Sequence, residues 1–221
     1  MPARAAALIE EPVAPITPVV LRLRRGARPA PDLARAARAV RELLEALGED
    51  PERDGLKDTP KRVAKSLAEQ IGGLGEDPAI HLGRVFEAEY DGLVQVRDIT
   101  FNSLCEHHLL PFMGRASIAY LPSGRSVVGL SKLARLVDVY ARRPQVQERL
   151  TAQIADALER HLAPRGVVVR LEAEHLCMRV RGVHRAGAST VTVVRRGVFA
   201  DRPADWPELT SLLSGATGSG H

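Results

Sequence analysis

The spacing of apolar side chains changes character near residue 93. Before it, Val40, Leu43, Leu44 and Leu47 fall at i, i+3, i+4 and i+7, which predicts a helix that opens near Asp32 and is stopped by Gly48. Thr59 followed by Pro60 reads as an N-cap with proline at the first helical position. The helix it opens has Val63, Leu67 and Ile71 as its buried stripe and ends at Gly72-Gly73. Residues 74–92 show no sustained period and are expected to be irregular. From residue 93, Val94 and Val96, then Ile99 and Phe101, alternate as a strand that shifts register at Asp98 and runs straight into Cys105. A second strand covers about residues 115–121, followed by the turn Pro122-Ser123-Gly124-Arg125. A helical period returns from Ser131, with Leu133, Leu136, Val137 and Tyr140 on its buried face. It returns again from Pro144, with Val146, Leu150, Ile154, Ala157 and Leu158. Val167, Val169, Leu171 and Ala173 then alternate, and if the alternation continues His175 and Cys177 share that inner face. A last strand runs over roughly residues 190–196 and ends at Gly197.

The order from residue 93 is thus ββααββ, which predicts an α+β unit: an antiparallel sheet with helices on one face. A sheet of four strands leaves two open edges, so association with further copies is the natural expectation. Four stretches follow along the chain. Residues 1–31 mix Ala, Pro and Arg and read as a disordered or loosely packed tail, with strand character only at Pro18–Leu23. Residues 32–92 form an N-terminal helical region, 93–200 the catalytic domain, and 201–221 a C-terminal extension with an amphipathic stretch at Trp206–Leu213.

Composition narrows the class. No apolar run approaches the length of a bilayer span, and no N-terminal secretion signal is visible. The expectation is a cytoplasmic protein with no membrane partner, in which a disulfide between the two cysteines is disfavoured. Net charge is +4, and residues 1–32 hold five arginines against Glu10, Glu11 and Asp32. A modest positive surplus suits an anionic substrate such as a nucleotide. It also suits nucleic acid, but aromatic residues make up 4% of the chain, too few for a base-stacking surface.

The candidate chemistry lies in two short clusters, Cys105-Glu106-His107-His108 and His175-Leu176-Cys177. Together they gather both cysteines and three of the seven histidines. Thiolate and imidazole are the ligands zinc prefers. Cys105 and His108 are three residues apart, so one helical turn puts them on one face, and Cys177 supplies a third ligand from a distant segment. Three protein ligands with an open position are the pattern of a catalytic site, whereas structural zinc takes four. Two idle, buried cysteines would be the plain alternative, but each here has a histidine two or three residues away.

Longer motifs surround these clusters. They are Gly55-Leu56 with Thr59-Pro60-Lys61-Arg62, then Ser103-Leu104-Cys105-Glu106-His107-His108, then Gly129-Leu130-Ser131-Lys132-Leu133-Ala134-Arg135. Further on come Arg143-Pro144-Gln145-Val146-Gln147-Glu148-Arg149-Leu150, His175-Leu176-Cys177-Met178 and Arg181-Gly182-Val183. In this order and spacing, over about residues 33–200, the chain resembles the GTP cyclohydrolase I family. The resemblance implies a T-fold subunit whose sheet joins others into a ring, a toroidal homodecamer with active sites between subunits. It implies conversion of GTP and water to formate and 7,8-dihydroneopterin triphosphate, the first step toward tetrahydrofolate and other pterins.

The resemblance also implies roles. Cys105, His108 and Cys177 are the Zn2+ ligands, and zinc lowers the pKa of a bound water toward about 7. His107 and His175 move protons, a task for the side chain whose ordinary pKa lies nearest neutrality. If the Cys105–His108 turn is helical, His107 points away from the metal. Glu148 accepts the N1–H and exocyclic N–H groups of guanine, a donor pair adenine lacks, and Gln147 adds polar contacts to the base. Ser131 and Lys132 at a helix N-terminus, with Arg135 and Arg181, bind the triphosphate, some of them from a neighbouring subunit. A T-fold with other chemistry is the first competitor. Pyruvoyl-tetrahydropterin synthase uses a three-histidine zinc site, and the nitrile reductase of queuosine synthesis a nucleophilic cysteine without zinc; a Cys/His/Cys set argues against both. A basic zinc-stabilised nucleic-acid module would need a fourth ligand.

Overall fold

The computed structural model describes residues 30–201 except 84, 88, 89 and 125, together with Pro207, Ser211 and Leu213. Asp32 caps α1 (Leu33–Ala46) by accepting from the Arg35 backbone N–H at 2.8 Å, which satisfies one free donor of the first turn. α2 (Thr59–Gln70) packs on α1. Its N-cap position is Asp58, one residue earlier than the sequence predicts. Thr59 is already helical, and its hydroxyl turns back to donate to Gly55 O at 3.2 Å. Val63, Leu67 and Ile71 are half-buried, and the buried positions of α2 are Pro60 and Ala64. Residues 74–92 are more regular than expected: a 3-10 turn (Gly72–Gly75), α3 (Ala79–Leu82) and β1 (Val85–Glu87) succeed one another.

The main sheet is built from β2 (Val94–Cys105) and β3 (Pro111–Leu121), then β5 (Pro144–Gln145), β6 (Gly166–His175) and β7 (Ser189–Gly197). Between them run β4 (Ser126–Val128), α4 (Leu130–Ala141), α5 (Gln147–Leu162) and α6 (Leu176–Arg179). Strand order is β5-β2-β3-β6-β7, antiparallel except for β5, which runs parallel to β2. β1 and β4 form a separate antiparallel ribbon. From residue 93 the order is therefore the expected ββααββ with three short additions, β4, β5 and α6. Val96 pairs with Ile118 and Ile99 with Ala116, so Arg97 and Asp98 together oppose Ser117. Asp98 takes φ 57°, and this bulge is the register shift read from the sequence.

α4 and α5 lie on one face of the sheet. Leu133, Leu136, Val137, Tyr140, Leu150, Ile154 and Leu158 meet Phe101, Ile118, Val169 and Leu171 in one core. Each such fully buried aliphatic side chain stabilises the fold by roughly 1.5–3 kcal/mol. Gly73 fastens the N-terminal region to this layer: its N–H donates to Arg142 O at 2.9 Å, and a Cβ there would strike Val139 O at the end of α4. On the opposite face Ala119, Val168 and Leu213 form a smaller buried cluster.

Three boundaries differ from expectation, each because pairing overrides local signal. β3 starts at Pro111, four residues early, since Pro111 pairs with Leu104 across the β2–β3 connection. The helix expected from Pro144 starts at Gln147, since Pro144 and Gln145 pair with Leu104 and Cys105. β6 stops at His175, so Cys177 sits in the α6 turn and does not continue the strand face. Pro18–Leu23 and Trp206, assigned to a strand and an amphipathic stretch, lie outside the described residues. Among the described residues no helix is long and apolar enough to cross a membrane.

Candidate metal centre

The topology delivers the two clusters to one end of the sheet. β2 ends on Cys105, β3 returns beside it, and Phe112 near the start of β3 pairs with His175 at the end of β6. Whatever follows Cys105 must therefore meet whatever follows His175. The residues after Cys105 form a tight turn: Leu109 N–H donates to Cys105 O at 2.8 Å, and Cys105 N–H to Leu110 O at 2.9 Å. Leu109 closes it at φ 53°. α6 supplies Cys177 from the other side. One ligand atom each of Cys105, His108 and Cys177 lies within 4.8 Å of the other two. Two soft thiols and one imidazole converging this closely are a fit donor set for a borderline-soft divalent cation.

Arg181 Nη1 lies 2.6 Å from His108 Nε2. A guanidinium has no acceptor, so Arg181 is the donor in this contact, and a cation bound through Nε2 would take its place. Burial, then the adjacent Cys105 sulfur, raise the Cys177 thiol above its ordinary value, while Arg181 pulls the other way. A cation between the sulfurs would invert that balance and favour thiolate. His107 is not turned away as a helical turn would have it: its Nδ1 lies 3.8 Å from Cys105 Sγ, and its ring stands edge-on to that of His108.

Arg149 holds the turn from below, a contact no sequence motif announced. It pairs with both carboxylate oxygens of Glu106 and donates to Gln145 Oε1 at 3.0 Å and Pro144 O at 3.1 Å. Glu106 N–H donates to Gln145 O at 3.0 Å. The Cys105–His108 turn is thereby tied to the start of α5.

His175 lies half-buried with its ring stacked on Phe112 and its Nε2 2.8 Å from Gln147 Oε1. Burial lowers its pKa, against the opposing pull of the Glu148 carboxylate. Glu148 is exposed in the first turn of α5, and its carboxylate acts on His175. Gln147 beside it is 1% exposed, with its amide nitrogen against Leu171 O, Thr190 O and Thr192 Oγ1 and its Oε1 against His175 Nε2. Ser131 and Arg135 are exposed, and Lys132 half-buried, along the first turns of α4, whose N-cap Gly129 offers no side chain to the free N–H groups. Of the four expected phosphate ligands, Arg181 is the one in contact with the metal cluster, among the described residues. Two hollows of about 380 and 390 Å3 lie elsewhere. One sits on the outer sheet face between Arg115, Arg170 and Glu172, and the other is apolar, between Phe86, Val127 and Leu130.

A largely antiparallel sheet backed by helices, with two thiols and an imidazole gathered at its end, is an α+β fold with a group that could hold a metal. A GTP cyclohydrolase I family model matches residues 36–214. The GTP cyclohydrolase 1 of Desulforamulus reducens is 56% identical over 182 residues, covering 82% of this chain and 97% of that one. Its counterpart from Streptococcus thermophilus is 57% identical over 175 residues, 79% and 94% of the two chains. That of Thermobifida fusca is 56% identical over 186 residues, 83% and 89%. The chain belongs to the GTP cyclohydrolase I family. Among solved structures it is similar to the apo form of the archaeosine synthase QueF-Like, with TM-score 0.41 and 19% identity over 49% of this chain and 97% of that one.

Proposed function

We propose that this chain converts GTP and water to formate and 7,8-dihydroneopterin triphosphate, the entry step of tetrahydrofolate and pterin synthesis. The observation that carries the reading is the convergence of Cys105, His108 and Cys177 within 4.8 Å, in a chain of this family. Zn2+ is the cation these ligands suit best, and when bound it supplies Lewis acidity and an activated water for attack at C8 of guanine. The remaining work falls to side chains. His107, beside Cys105, and His175, two residues before Cys177, give and take the protons that ring opening and the later rearrangement of the ribose carbons require. Glu148, charged and exposed beside His175, receives the N1–H and amino N–H edge of guanine and excludes adenine. Arg181 reaches from the metal cluster toward the triphosphate with its planar donor fork. Ser131 at the start of α4, with the positive charge of Lys132 and Arg135 along its first turns, offers a place where an anion is favoured.

Membership of the family supports a substrate pocket completed by a second copy, within a T-fold ring of the decameric kind. β7 is an edge of the sheet and offers its backbone for such pairing. Both thiols are free, in keeping with a reducing, cytoplasmic setting. Incubation with GTP, following formate and the fluorescent oxidised neopterin product together, tests the reaction. Both products from GTP and neither from ATP are expected. Folded, zinc-loaded protein that releases neither from GTP would overturn the assignment.

A further inference from the structure

The Gln147 side chain belongs to a closed circuit of hydrogen bonds. Its Nε2 lies 2.9 Å from Thr190 O, 3.2 Å from Thr192 Oγ1 and 3.3 Å from Leu171 O. Two of these three are backbone carbonyls, which only accept. Turned over, the amide would set its oxygen against both, so its nitrogen must face them. The rest of the circuit also has one direction. The Thr151 hydroxyl lies 2.7 Å from Gln147 O, so Thr151 donates there. The Thr192 hydroxyl, 2.6 Å from that of Thr151, then donates to Thr151 and has only its oxygen left for Gln147 Nε2. The circuit begins and ends on Gln147, spans α5, β6 and β7, and is buried at Gln147 and Thr151.

With the amide so placed, the atom 2.8 Å from His175 Nε2 is Oε1, which has no proton to give. We infer that Gln147 is a positioning residue that keeps the His175 proton on Nε2 and leaves Nδ1 as the nitrogen that exchanges protons with substrate. The ring plane is set independently by the stack on Phe112. Orientation and tautomer are thus both fixed before substrate arrives. The Nε2–H stays directed at Gln147 Oε1, and Nδ1 is the nitrogen left open. Gln147 acts through His175 and needs no contact with guanine. This role rests on the reading of His175 as a proton-transfer residue.

Neutron diffraction from the deuterated, metal-loaded full chain tests the placement directly. A deuteron on His175 Nε2 pointing at Gln147 Oε1 is expected, with both amide deuterons on the side of Thr190 and Leu171. A deuteron on Nδ1 with Nε2 bare overturns the inference and needs no variant to do so. The kinetic consequence is read in Gln147→Met, which keeps the length and loses the acceptor. Its kcat for GTP should fall by about tenfold or more, as for a misplaced proton-transfer group. Its KM should stay within about threefold, because the base is held elsewhere. Unchanged kcat in the folded variant, or a loss confined to KM, contradicts the role. Wild-type protein that carries the Nε2 deuteron yet yields no formate from GTP would count against the proposed reaction, while the proton placement stands.

Discussion

The imidazole of His175 lies flat on the ring of Phe112, with 1° between the planes and 4.6 Å between centroids. The two residues are paired across β3 and β6, so sheet register itself makes the stack. Phe112 is fully buried and meets Phe101 edge-on at 6.0 Å. One side chain thus serves the core on one side and the site on the other.

Phe112→Leu should expose that double duty. Loss of the stack and of ring volume is expected to cost about 1–3 kcal/mol, visible as a lower urea midpoint with unchanged slope. Turnover should fall further than stability does, measured under conditions where the variant is fully folded. Equal activity at lower stability would show that the stack matters only to the core.

Arg149 is expected to govern metal retention without touching the metal. Arg149→Met frees the Glu106 carboxylate and loosens the Cys105–His108 turn from Gln145. Outer contacts of this kind change metal affinity by about 10–100-fold. Competition with a chromophoric chelator measures it, and wild-type affinity in the variant would rule out the tether.

Glu148→Gln replaces an acceptor-only carboxylate with an amide that places a donor against guanine. kcat/KM for GTP should drop by about 100-fold or more. The fall should come with little change in folding, since Glu148 is exposed. A variant that keeps its preference for GTP over ATP would assign base recognition to other residues.

Two tyrosines give the fold an alkaline limit. Burial raises the Tyr120 phenol above its ordinary 10.0, with the Val128 N–H that donates to it at 3.0 Å pulling the other way. Burial raises Tyr140 likewise, opposed by Arg143. Above about pH 10 the unfolded chain releases these protons and the folded chain retains them, so stability is complete below that pH and declines through the folded pKa values. Urea midpoints followed upward in pH should show the decline, and Tyr120→Phe should make it shallower. Identical profiles for the two proteins would contradict a buried, raised Tyr120.

What the sequence revealed and what it hid divide by range. The faces of α4 and α5, the bulge at Asp98 and the alternation of β6 depend on neighbours a few residues away, and their periods carry them. Cys105, His108 and Cys177 were legible because scarce residue types cluster in two places. Cys177 would share the β6 face only if the alternation continued, and alternation does not say where a strand stops. The two-residue strand Pro144–Gln145 has no local signal at all; it exists because Leu104 and Cys105 pass beside it. Gln147 and Glu148 are adjacent and both polar, yet one is buried and one exposed. The difference is made by Leu171, Thr190 and Thr192, remote in sequence. Arg149 reaches Gln145 in β5 and Glu106 beyond β2, contacts set by the pairing of elements and not by any local pattern.

The most direct test is a titration of zinc back into metal-stripped protein, with formate release from GTP followed at each addition. Activity should be absent at the start, rise in proportion to zinc and break at one equivalent per chain; Cys177→Ser should stay flat throughout. Stripped protein as active as the native form, or a Cys177→Ser variant that recovers with zinc like the wild type, would contradict a catalytic metal centre at Cys105, His108 and Cys177.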